Sequence, residues 1–94
     1  MASGKVTKVT KVIDGDTFSI KGGKRIRLSN VRAPELREKG GPKAKHELSN
    51  LISKKTVHYK TVGKSYGRIV ANVRVRGKLV NQAMRNKGYT KRGK

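Results

Sequence analysis

Positive charge constrains this chain more than any other feature. Twenty-five Lys and Arg stand against five Asp and Glu, a net charge of +20 on 94 residues. A compact domain with that charge repels itself, and a polyanion relieves the repulsion. Only 33% of the residues are apolar, so a single modest core is affordable and one domain is expected. Nucleic acid suits the charge best, because each phosphate contact releases counterions and adds affinity whatever the base sequence. Adaptation for solubility and attachment to an anionic membrane are the competing readings. The membrane reading calls for a basic amphipathic helix with a bulky apolar face, and none is evident. No run approaches the roughly 18 apolar residues of a membrane span. No apolar stretch follows Lys5 as it would in a signal peptide, so a cytoplasmic location is expected. Self-repulsion favours a monomer. Cysteine is absent, which rules out disulfides and thiolate zinc sites.

Period and composition divide the chain. Lys5 to Ile13 is rich in Val and Thr and reads as a strand, with Val6, Val9 and Val12 too widely spaced for clean alternation and a bulge expected. Thr17 to Ile20 and Arg25 to Val31 are further strands around Lys21-Gly22-Gly23-Lys24, a good hairpin signal. From Pro42 to Lys54 the period becomes helical, with Ala44, Leu48, Leu51 and Ile52 on one face and Pro42 in the first turn. Thr56 to Val62 and Arg68 to Val75 return to strand composition around the turn-like Gly63 to Gly67, and Val80 to Lys87 is a short helix stopped by Gly88. The order predicts a mainly β chain with helices (α+β). It is the outline of a five-stranded OB-type barrel with one helix between strands 3 and 4 and a short C-terminal helix. The domain is expected over residues 5–89, with basic tails at 1–4 and 90–94.

Carboxylates are so few that their placement is informative. Two stand together in Asp14-Gly15-Asp16, and Glu35 follows a proline. Paired acids at a strand end suit a hard cation held by oxygen ligands; an Asp-Gly turn explains the same residues without chemistry. His46 and His58 lack the three or four ligands of a zinc site. Of the few aromatic residues, Phe18 and Tyr59 read as strand packing, Met84 as helix packing, and Tyr66, in a turn, as the candidate for base stacking.

Five pieces occur in a telling order: Ile13-Asp14-Gly15-Asp16-Thr17, Arg27-Leu28, Ala33-Pro34-Glu35, Tyr66-Gly67-Arg68 and Gly77-Lys78-Leu79-Val80-Asn81. Together they resemble the staphylococcal nuclease (thermonuclease) family, OB-type barrels that cleave DNA and RNA with calcium, from about Val6 to Gly88. The resemblance implies that Asp16 is a calcium ligand, Glu35 the general base for the attacking water, Arg27 and Arg68 the holders of the scissile phosphate, and Tyr66 a contact to the nucleotide. Asp14 is an alternative ligand, the Ala33 carbonyl another, and Arg32 and Lys64 are candidate contacts to the nucleic acid. The residue types suit the chemistry. A carboxylate can deprotonate water, and guanidinium forks with a divalent cation stabilise the added charge of the transition state.

The chain departs from the family pattern in two places. Arg32 stands two residues before Pro34, where a second aspartate ligand is usual, so a repelling charge replaces an attracting one. The family also continues beyond the position of Gly88 into a further helix bearing a substrate-facing tyrosine, whereas this chain ends at Lys94, which implies weaker or differently tuned activity. Two functions follow: a calcium-dependent nuclease acting on DNA or RNA, single-stranded by preference, or a barrel that kept its cleft, lost turnover and binds nucleic acid without regard to sequence.

Overall fold

A computed structural model describes residues 4–90. The expected tails at 1–4 and 90–94 lie outside the described residues, except for Gly4 and Thr90. In chain order the elements are β1 (Lys5–Asp14), β2 (Thr17–Ile20), β3 (Arg25–Leu28), α1 (Gly41–Ile52), β4 (Thr56–Ser65), β5 (Arg68–Val75), β6 (Lys78–Leu79) and α2 (Val80–Asn86). The sheet order is β3-β2-β1-β4-β5-β6, and a parallel pairing of β3 with β5 (Ile26 with Ile69, Leu28 with Ala71) joins its two sides. Five strands thereby form a closed ring, the arrangement expected of an OB-like α+β fold, and β6 is a two-residue addition that composition did not reveal.

Burial alternates as half-buried strands require. On β3, Ile26 and Leu28 point inward while Arg25 is exposed and Arg27 half-buried; on β2, Phe18 and Ile20 point inward. β1 shifts register between Val9 and Lys11 and again between Val12 and Asp14. These irregularities place Val9 and Val12, three apart in sequence, in the same core. α1 buries Ala44, Leu48 and Ile52, one face at i, i+4 and i+8, and packs against β1. Phe18, Ile26, Leu28, Leu48, Ile52 and Met84 are fully enclosed, and each such side chain contributes about 1.5–3 kcal/mol by leaving water.

Three boundaries differ from the sequence reading by more than one residue, each for a local reason. β3 ends at Leu28, because the chain turns through Asn30 at φ 58 and Val31 makes only an isolated bridge with Thr90. α1 ends at Ile52, with Ser53 out of helical geometry and Lys54 at φ 58. The expected five-residue turn Gly63 to Gly67 shrinks to Tyr66-Gly67. Strand pairing runs as far as Ser65 with Arg68, and both turn residues have positive φ (50 and 76), the twist that suits a tight hairpin.

One buried polar side chain ties the C-terminal helix to the ring. Asn81 is fully enclosed; its Oδ1 accepts from the Val73 N–H at 2.8 Å, and its Nδ2 donates to the Ser29 and Ala71 carbonyls at 3.0 and 3.1 Å. The carboxamide thus joins α2, β5 and the segment after β3, and its own buried polar atoms are all hydrogen-bonded.

Candidate active site

The β1–β2 turn, β3, the start of β5 and the loop from β3 to α1 surround an open cleft of about 670 Å³. Four of the five carboxylates line it: Asp14, Asp16, Glu35 and Glu38. So do four guanidinium groups, those of Arg27, Arg32, Arg37 and Arg68. The fifth carboxylate, Glu47, is elsewhere on α1 and accepts a hydrogen bond from the Tyr89 hydroxyl.

Asp16 is 7% exposed and is the anchor of this constellation. Its Oδ1 accepts from the Thr17 hydroxyl at 2.9 Å and its Oδ2 from the Ala33 N–H at 3.2 Å, which clamps the β1–β2 turn to the loop that carries Glu35. Arg27 Nη2 lies 3.7 Å from Asp16 Oδ2. Asp14 Oδ1 accepts from the Asp16 N–H at 3.1 Å. Burial first, and the Asp16 side chain second, raise the Asp14 carboxyl from 3.8 to about 6, against an opposing pull from the Asp16 backbone. Asp14-Gly15-Asp16 is therefore both the turn and the acid pair that the sequence offered as alternatives. Gly15 is required there on steric grounds: a Cβ would meet the Cβ atoms of Ala33 and Ala44 at 2.6 Å each.

Glu35 is exposed at the rim. Its backbone N–H donates to Glu38 Oε1 at 2.7 Å, and the Glu38 N–H returns a bond to the Glu35 carbonyl at 2.8 Å. The Glu35 carboxylate itself has no hydrogen bond among the described residues. Arg68 Nε donates to the Ser65 carbonyl at 3.3 Å, and its guanidinium lies 6.0 Å from the centroid of the Tyr66 ring. Tyr66 is 95% exposed. It and Lys64 stand outside the cleft, on the β4–β5 hairpin that delivers Arg68 to it.

The structure thus gathers Asp14, Asp16, Arg27, Arg32, Ala33, Glu35 and Arg68 around one cleft and leaves Tyr66 and Lys64 beside it. Arg37 and Glu38 also line it and were not singled out by sequence; they lie in the loop before α1, where no periodicity marks a residue. No group of three or more His, Cys, Asp and Glu positioned to hold a metal occurs among the described residues, His46 and His58 included.

The chain matches the staphylococcal nuclease homologue family over residues 25–93, well over half its length. It belongs to the staphylococcal nuclease family. It is also 36% identical, over 86 residues, to an uncharacterized endonuclease of Haemophilus influenzae. That match covers 86% of this chain and 48% of the relative, so the chain spans about half the length of the relative it matches. No helix among the described residues is long and apolar enough to cross a membrane.

The acid pair fits a hard, oxygen-seeking cation in kind. Two carboxylates are crowded at one turn, and the Asp14 carboxyl is raised first by burial and then by the Asp16 side chain, so its ionised form lacks the solvation that a cation would supply. Arg32, exposed on the same cleft, opposes it.

Proposed function

We propose that this domain hydrolyses phosphodiester bonds in nucleic acid, with Glu35 as general base and Arg27 and Arg68 on the scissile phosphate. The observation that carries the reading is the gathering of four of five carboxylates with four arginines in one cleft of a chain otherwise overwhelmingly basic. A fold that only had to hold a polyanion gains nothing from collecting its few acids where the polyanion binds. In the reaction, water attacks phosphorus, its proton passes to the Glu35 carboxylate, and the bond from phosphorus to the leaving oxygen breaks as that oxygen takes up a proton. Guanidinium forks on the non-bridging oxygens stabilise the added charge. Asp16 and Asp14, with the Ala33 carbonyl as a further donor, would hold calcium, which when bound supplies electrostatic stabilisation of the same charge.

Single-stranded substrate is favoured by Tyr66, whose exposed ring offers a face to an unpaired base, with the Arg68 guanidinium close by. The contrary reading, a binding module without turnover, draws on Arg32. That cation lines the cleft beside the acid pair and favours retention of phosphate over recruitment of a metal.

Labelled single-stranded DNA, incubated with millimolar calcium or with chelator, separates the two readings. Calcium-dependent cleavage is expected to disappear in Asp16→Ala and to fall by about 10²–10⁴ in Glu35→Gln with DNA binding retained, the usual contribution of a general base. Intact but retarded DNA under both conditions would make the domain a binder.

A further inference from the structure

The outer face of β1–β2–β3 carries cations in an arrangement that begins at the cleft. Arg25 and Arg27 are alternate residues on β3 and point the same way, outward, about 7 Å apart by strand geometry. Arg25 pairs with Ser19 on β2, and Ser19 with Lys11 on β1, so the three form one cross-strand row on the outer face. Two strand spacings put Arg25 and Lys11 about 10 Å apart, with only the small Ser19 between them. Lys8 is exposed further along β1, opposite Thr56. Arg25, Lys11 and Lys8 are all exposed, and no hydrogen bond or ion pair engages their side chains among the described residues.

No side-chain carboxylate can balance this face. Four of the five line the cleft and Glu47 is tied to Tyr89. Fixed like charges on neighbouring strands cost stability, and a run of them with small neutral residues between, starting beside a phosphate-holding arginine, is complementary to a polymeric phosphodiester.

We infer that Arg25, Lys11 and Lys8 form a docking track for the backbone of a nucleic-acid strand as it leaves the cleft, so that the domain takes polymers in preference to short oligonucleotides. This rests on the nuclease reading for its direction, since Arg27 is where track and cleft meet. Contacts are to phosphate, not to bases, so the track adds affinity and no sequence preference.

The test compares the protein with the triple variant Lys8→Gln, Lys11→Gln, Arg25→Gln, in a Glu35→Gln background for binding and with native Glu35 for cleavage. Because all three side chains are exposed and unbonded and their charges repel, the variant should melt no lower than the parent; single substitutions serve if it does. For a 30-nucleotide strand, the slope of log affinity against log salt should shrink by about 2, from three phosphate contacts at about 0.7 each. Cleavage efficiency on the 30-mer should fall about tenfold while that on a dinucleotide is unchanged. An unchanged salt slope, or equal losses on long and short substrates, would overturn the track. Binding is read without turnover, so a reduced slope in a protein that cleaves nothing would overturn the nuclease reading alone. Loss of binding to anionic lipid vesicles with the DNA slope intact would assign the face to a membrane and refute the inference.

Discussion

Residue 32 immediately precedes Ala33, whose N–H touches Asp16 Oδ2, and its side chain lines the cleft that holds Asp14 and Asp16. Position 32 is therefore within reach of any cation at the acid pair, and its charge bears directly on that cation's affinity. Replacing Arg32 by Asp reverses one unit charge, a change of two units acting on a dication. Even in bulk water a pair of unit charges 4 Å apart is worth about 1 kcal/mol. Arg32→Asp is expected to tighten calcium binding by at least tenfold, about 1.4 kcal/mol, and to raise cleavage at limiting calcium. Titration calorimetry checks the first part, and no gain in affinity would remove residue 32 from the cation's surroundings. The sequence exposed this position because Arg32 interrupts an otherwise recognisable order of residues. It gave no sign of Arg37 or Glu38, which reach the cleft only through the path of their loop.

The loop that bears Glu35 and the start of α1 are built against each other. A Cβ on Gly41 would collide with the Glu35 and Leu36 carbonyls, the latter at 2.7 Å, and the backbone offers no easy retreat because the Gly41 N–H donates to the Glu38 carbonyl at 2.9 Å. Gly41→Ala should therefore push the Glu35 segment outward, costing about 1–3 kcal/mol as overpacking does and lowering turnover at temperatures where the domain is still folded. Gly22→Ala is the control: φ is +98 with open space around it, so strain lowers stability by about 1 kcal/mol and turnover stays unchanged. Thermal melts and initial rates on the two variants distinguish them; equal rates would mean that the loop absorbs the clash without moving Glu35. Contacts of this kind explain what sequence left hidden. Element types were legible where composition and period agree, as in β2, β5 and the Ala44–Leu48–Ile52 face of α1. Ends set by single left-handed residues such as Asn30 and Lys54 were not, and neither was the tertiary role of Asn81 or the steric role of Gly41, because no local pattern encodes them.

At the scale of the whole molecule, charge and compactness oppose each other. The chain carries a net charge of +20, and its described residues have a radius of gyration of only 12.0 Å. At 0.01 M salt the Debye length, about 30 Å, exceeds the molecule's radius and every cation feels the rest; at 0.15 M it is about 8 Å and only neighbours interact. The free domain should thus gain stability as salt rises over this range, with the melting midpoint climbing by several degrees. A gain of 1 kcal/mol corresponds to roughly 4–8 °C for a chain of this size. Bound to a single-stranded polymer the dependence should reverse. The polyanion already neutralises the surface, and added salt weakens the complex by competing for its phosphates. Differential scanning calorimetry of the free and the DNA-saturated Glu35→Gln protein, across the same salt series, should give two curves that converge. A free domain whose midpoint does not move with salt would mean that its cations are spaced widely enough to coexist without a partner, and the case for nucleic acid would then rest on the cleft and on family membership alone.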